Sequence, residues 1–138
     1  MRFLYSFLLY LLIPVALTRL AWRGLRNRGY WRRWPERFGF VRRLEGPVIW
    51  LHAVSVGQVR ASAPLVKVLT RDYPGHTLLI TTMTPTGSAT VRELFGTAVA
   101  HCYVPYDLPT AVWRFLNRTR PRLALIMETE LWPNLFHQ

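Results

Sequence analysis

Carboxylates are nearly missing from the first third of this sequence: residues 1–43 hold ten arginines and one acid, Glu36. Cysteine is scarcer still. Cys102 is the single one, so no intrachain disulfide can form and the C-x-x-C metal spacing does not occur. It lies in the apolar run "VAHCYV" and reads as a small buried hydrophobe. The four histidines, His52, His76, His101 and His137, show no i, i+4 pairing, so a metal site is not expected. Neither G-x-G-x-x-G nor the P-loop pattern occurs. Low-complexity tracts and internal repeats are also missing, and a 51% hydrophobic composition excludes global disorder.

What is present is unevenly spread. The net charge of +11 falls almost entirely on residues 1–43, which carry +9, while residues 44–138 carry +2. Such a cluster favours nucleic acid, anionic lipid or a phosphorylated substrate. Before most of the arginines comes an uncharged apolar run, "FLYSFLLYLLIPVALT", residues 3–18. It falls just short of the ~17–25 residues of a full span, and Pro14 interrupts it. Arg19, Arg23, Arg26, Arg28, Arg32 and Arg33 follow, with no A-x-A cleavage site. Residues 1–22 are therefore read as an uncleaved membrane anchor, inserted or lying in the interface, with the remainder on the cytoplasmic side. Trp22, Trp31 and Trp34 alternate with arginine, as in an interfacial belt or a nucleic-acid surface. Residues 23–46 form a basic segment.

From residue 47 the pattern alternates. Strands are expected at Val48–Val54, Thr77–Met83, Val99–Pro105 and, buried, at Arg122–Glu128. One helix is expected between the first two strands. Others are expected at Ser88–Phe95 and Leu108–Asn117, and a last one starts in "LWPNLFHQ". Asp107 is the expected N-cap of the helix at Leu108. Strand–helix alternation specifies an α/β domain with a parallel, Rossmann-like sheet over residues 47–138. Ligands of such sheets bind beyond the carboxyl ends of the strands. That singles out Ser55–Gln58, Thr84–Ser88, Pro105–Asp107 and Glu128–Glu130.

Each segment has a plain reading and a chemical one. Ser55, Gly57 and Gln58 form either an ordinary strand-to-helix turn or an anion-accepting helix N-terminus. Thr84, Thr86, Gly87 and Ser88 either cap a helix or hold a phosphate or sugar oxygen, with capping favoured. Glu128 and Glu130 repel each other, which raises one pKa and can poise a base; the alternatives are helix capping and ion pairs. His52 reads as a satisfied core histidine. Glu36 is either a salt-bridge partner of Arg33 or Arg37, or a base beside an anion site.

The words "ERFGF", "LHAVSVGQ", "TTMTPTGS", "YVPYDLP" and "IMETELWPN" occur in this order and at these intervals. As a set they closely resemble the N-terminal half of the 3-deoxy-D-manno-octulosonic acid (Kdo) transferases. The resemblance implies a two-domain GT-B glycosyltransferase that is inverting and needs neither metal nor cofactor. Its donor would be CMP-Kdo, its acceptor a lipid A precursor in lipopolysaccharide biosynthesis, and its location the cytoplasmic face of a Gram-negative inner membrane. This chain would be the acceptor domain. A C-terminal nucleotide-binding domain would lie beyond it, leaving this part inactive alone. The resemblance makes Glu36 the catalytic base and Glu128 and Glu130 further catalytic acids. Arg33 and Arg37, beside that base, and Ser55, Gly57, Gln58, Thr84, Thr86, Gly87 and Ser88, at the strand ends, are the expected substrate-binding residues. The family usually has glutamate where this chain has Gln58, so a role that needs only a hydrogen bond survives there.

Arginines beside the base suit a phosphorylated acceptor, and an Arg-flanked apolar N-terminus suits its acyl chains. The alternative is a non-catalytic membrane-associated module that binds anionic lipid through the Arg-rich segment. Nucleic acid is not an expected partner, because residues 3–18 have no part in binding it.

Overall fold

The computed structural model describes residues 2–127 and 132–137. Its centre is a parallel sheet of β1 (Val48–His52), β2 (Thr77–Thr82), β3 (Ala100–Tyr103) and β4 (Pro121–Ile126), ordered β3-β2-β1-β4. This is the Rossmann-like α/β architecture expected. The chain steps outward from β1 to β3 and then returns to β4 on the other side of β1. The switch point therefore lies between the loops that follow β1 and β4.

Alternation along β1 divides the core. Val48 and Trp50 pack with Leu79, Cys102 and Val104 against Val112 and Phe115 of one helix, α5 (Pro109–Thr119). Ile49 and Leu51 pack with Leu78 and Ile80 against the opposite layer. That layer contains α2 (Val56–Ala61), α3 (Ala63–Asp72) and α4 (Pro85–Phe95), which contribute Val59, Val66 and Val91. The single helix expected between β1 and β2 is broken at Ser62, because Pro64 has no N–H to continue the ladder. β4 also differs from expectation. It forms the sheet edge, with Leu123 47% exposed, so it is not a buried strand.

The apolar N-terminus forms α1 (Arg2–Arg26), which continues through Pro14 and would be about 37 Å long at 1.5 Å per residue. Its two faces differ. Tyr5, Ser6, Leu9, Ile13, Ala16, Leu20 and Gly24 turn toward the body at helical spacing. Phe3, Phe7, Leu11, Val15, Trp22 and Leu25 stand exposed. Three polar contacts fix the inner face. Tyr5 Oη donates to Asp107 Oδ2 at 3.0 Å, Ser6 Oγ donates to Asn134 Oδ1 at 3.1 Å, and the Tyr10 and Thr110 hydroxyls meet at 2.9 Å. By length and composition α1 could cross a membrane, so it is compatible with membrane association.

Asp107 does not cap α5; Leu108 holds that position. The Asp107 carboxylate instead accepts the backbone N–H groups of Asn134 (3.0 Å) and Leu135 (2.8 Å), as well as Tyr5. The described residues 132–137 form a turn, closed by Phe136 N–H donating to the Trp132 carbonyl, where a helix start was expected.

Candidate active site

The carboxyl ends of β1 and β2 and the segment after β3 open into a cleft of about 500 Å³ roofed by α1. Val54, Met83, Thr84 and Tyr106 form its floor; Arg37 reaches it from a 3₁₀ turn, Trp34–Phe38. Leu12, Val15, Ala16 and Leu20 of α1 give it an apolar wall, and Arg19 and Arg23 a cationic one. Arg37 is buried, donates from Nη2 to the Met83 carbonyl at 2.9 Å, and stacks over the Tyr103 ring at 4.6 Å. Its Nε has no hydrogen-bond partner among the described residues.

Glu36 stands on the other side of the same turn. It lines a second groove, of about 490 Å³, with Arg42, Arg43, His101 and Cys102. Its Oε1 accepts Arg33 Nε at 2.7 Å, and its Oε2 accepts the Tyr103 backbone N–H at 2.8 Å on the free edge of β3. Arg33 and Glu36 are thus brought together, whereas Arg37 is turned into the cleft. Glu36 is a salt-bridge partner in this structure, with the side chain 18% exposed. A carboxylate has about four lone-pair positions, so two remain for another proton.

Gly39 closes this turn with φ 82°, and a Cβ there would sit 2.2 Å from the Ala111 carbonyl oxygen. The glycine of "ERFG" is thus required by the fold.

The β1 loop forms a capping box. Ser55 Oγ accepts the Gln58 N–H at 3.3 Å, while Gln58 Oε1 accepts the N–H groups of Val54 and Ser55. An amide oxygen suffices for this, which explains how glutamine serves at this position. A Cβ on Gly57 would meet nothing closer than Ser55 Oγ at 3.8 Å, so packing does not demand glycine there. In the β2 loop Thr84 caps α4, accepting the Gly87 N–H at 3.1 Å, and its hydroxyl meets Thr86 Oγ1 at 3.1 Å. A Cβ on Gly87 would press on Thr82 at 3.2 Å. Ser88 is different: its buried hydroxyl accepts from both Arg33 and Arg92 at 3.3 Å. Glu128 and Glu130 lie outside the described residues.

His52 and Cys102 are buried, and His101 is half-buried at the groove. His52 Nδ1 lies 2.8 Å from Thr81 Oγ1. Burial pushes the Cys102 thiol well above its usual range, so it stays a protonated core residue. Burial, followed by the charges of Arg33 and Arg92, pushes His101 down to about 3. Sequence reasoning missed His101, and it placed Asp107 at a cap. Their partners lie 68 and 102 residues away, beyond the reach of local spacing.

The strand order and the cleft at the strand ends define a Rossmann-like α/β domain with an open cleft between its sheet and an apolar helix. A family model described as 3-deoxy-D-manno-octulosonic-acid transferase (kdotransferase) matches residues 32–138, and the chain belongs to that family. It is 44% identical over 140 residues to the 3-deoxy-D-manno-octulosonic acid transferase of Haemophilus influenzae, covering 99% of this chain and 33% of the relative. It is 40% identical to that of Bordetella pertussis, covering 97% and 33%. Identity is 38% to a probable mitochondrial 3-deoxy-D-manno-octulosonic acid transferase of Arabidopsis thaliana, covering 96% and 30%. The chain thus spans about a third of the length of these curated relatives.

Proposed function

We propose that this chain is the acceptor-binding part of an inverting, metal-independent glycosyltransferase that moves Kdo from CMP-Kdo to a lipid A precursor. The observation that carries this reading is the α1 cleft, where an apolar wall and three arginines, Arg19, Arg23 and Arg37, meet at the ends of the strands. A phosphorylated glycolipid presents those two chemistries side by side. Its phosphates suit guanidinium groups and its acyl chains suit the α1 wall. Capping takes up Ser55, Gln58, Thr84 and Gly87, so their part in binding is to shape the floor.

Glu36 acts as the base in this reading. The attacking hydroxyl must lose its proton as it bonds to the anomeric carbon of Kdo, and CMP leaves with the bonding electrons. A positioned carboxylate accepts that proton. The 3₁₀ turn carries Arg37 in the cleft and Glu36 in the groove, so an acceptor reaching around it meets a phosphate contact and a base. Glu128 and Glu130, outside the described residues, are kept in this reading as further catalytic acids. The relatives are about three times as long, which leaves room for a unit that holds the nucleotide.

The exposed face of α1 and its arginine flank fit the cytoplasmic leaflet of a Gram-negative inner membrane. Three side chains hold α1 along the body. These contacts support a helix that lies in the interface over one that is inserted across it. Replacement of Glu36 by Gln in the complete enzyme tests the catalytic part of this reading. Loss of turnover with acceptor binding retained supports it, and near-normal turnover overturns it.

A further inference from the structure

Arg33 is the donor that holds Glu36, yet its backbone sits in the left-handed region at φ 61° and ψ 30°, where a non-glycine residue stays only if its surroundings fix it. What fixes it is chiefly one residue of β3. Arg33 Nη2 donates to the His101 carbonyl at 2.7 Å, and Nη1 lies 3.0 Å from His101 Nδ1. A guanidinium can only donate, so His101 Nδ1 must be the acceptor and its ring must be neutral. The remaining proton then sits on Nε2, which lies 3.0 Å from Thr82 Oγ1 and donates to it. Arg33 thereby selects the tautomer, Thr82 of β2 anchors the ring through its other nitrogen, and the guanidinium meets Glu36. The next residue but one on β3, Tyr103, holds the other carboxylate oxygen.

We propose that His101 is a positioning residue: with its ring anchored on Thr82 through Nε2–H, it accepts Arg33 at Nδ1 and thereby fixes the orientation of the Glu36 carboxylate. Proposing a catalytic consequence rests on Glu36 being the base; the positioning itself does not. The other groups around the ring agree with a neutral histidine. Arg33 and Arg92 share Ser88 Oγ beside it, and the Tyr103 ring stands edge-on at 5.9 Å. A protonated His101 would turn an N–H toward a guanidinium and expel Arg33 from the carboxylate.

The test is nitrogen-15 NMR of the chain. The expected result is a His101 ring with bare Nδ1 and protonated Nε2 from pH 5 to pH 8, and an Arg33 Nε–H protected from solvent exchange. Replacement His101→Leu should abolish that protection, whereas His101→Asn, whose Oδ1 can stand in for Nδ1, should keep most of it. If the leucine variant does not fold, Thr82→Val serves instead, since it keeps the His101 side chain and removes the bond that anchors its ring; Arg33 protection should fall there too. A protonated Nδ1, or full Arg33 protection in His101→Leu or Thr82→Val, overturns the proposal. In the complete enzyme, His101→Leu should lower kcat by tenfold or more at near-constant acceptor KM, with recovery in His101→Asn. Lost Arg33 protection with unchanged kcat would leave the positioning standing and count against Glu36 as the base.

Discussion

Tyr5, near the start of the chain, donates its phenolic proton to Asp107 Oδ2 at 3.0 Å. Asp107 also accepts the N–H groups of Asn134 and Leu135, so one buried carboxylate ties the apolar helix, the β3 loop and the segment 132–137 together. Replacing Asp107 by Ala leaves the two buried N–H groups without an acceptor, at about 1–3 kcal/mol for each unsatisfied group. Urea unfolding should show a loss of that order. Tyr5→Phe removes a single bond and should cost only about 0.5–1.5 kcal/mol. Its larger effect should be on α1, read as faster proteolysis within residues 2–26.

Glu36→Gln should leave the fold intact, because the amide oxygen still accepts the Tyr103 N–H. Turnover of the complete enzyme should fall by about 10²–10⁴-fold, the range for removing a general base. Circular dichroism of the variant should match the parent.

Stability should fall in acid because of His101. In the unfolded chain this group titrates near 6.5, whereas burial and then the charges of Arg33 and Arg92 keep it neutral in the fold down to about 3. Between those values the unfolded state binds the extra proton. Its contribution is therefore full above pH 6.5 and is lost as the pH drops toward 3, at up to about 1.4 kcal/mol per pH unit. The slope of unfolding free energy against pH, measured from 6.5 to 4.5, should be shallower in His101→Asn.

Gln58→Glu should be close to neutral for stability, because either side chain completes the capping box with Ser55. Ser55→Ala removes the cap and should cost about 0.5–2 kcal/mol in thermal or urea melts. A large loss of turnover in the complete Ser55→Ala enzyme, beyond its stability loss, would add a substrate contact to the capping role.

Most of the fold was legible because its signals are local. Val48–His52 and Thr77–Thr82 are short apolar runs bounded by Gly and Pro, and Val59, Val66 and Val91 mark the inner faces of their helices. The site was legible in part. Thr84 and Ser55 announce themselves as caps by type and position, and both cap. Asp107 carries the same local signal, but two backbone N–H groups some 27 residues later compete for it and win. Arg33 and Arg37 both flank Glu36 in sequence, three residues before it and one after. Only the left-handed turn at Arg33 and the pull of the Met83 carbonyl on Arg37 separate them. Exposure of β4 was hidden because an edge strand and a central strand of a parallel sheet share the same apolar pattern.

The central claim is that the α1 cleft recognises a phosphorylated lipid, and one binding measurement tests it most directly. The chain is titrated with neutral vesicles carrying a bis-phosphorylated lipid A precursor, and with vesicles of equal surface charge made with phosphatidylglycerol. Charge-assisted bonds from Arg19, Arg23 and Arg37 are worth about 1.5–3 kcal/mol each, so the precursor vesicles should bind at least about tenfold more tightly. That preference should disappear in Arg19→Gln/Arg23→Gln. Equal affinity for the two kinds of vesicle would contradict the claim and leave a chain that binds anionic lipid by charge alone.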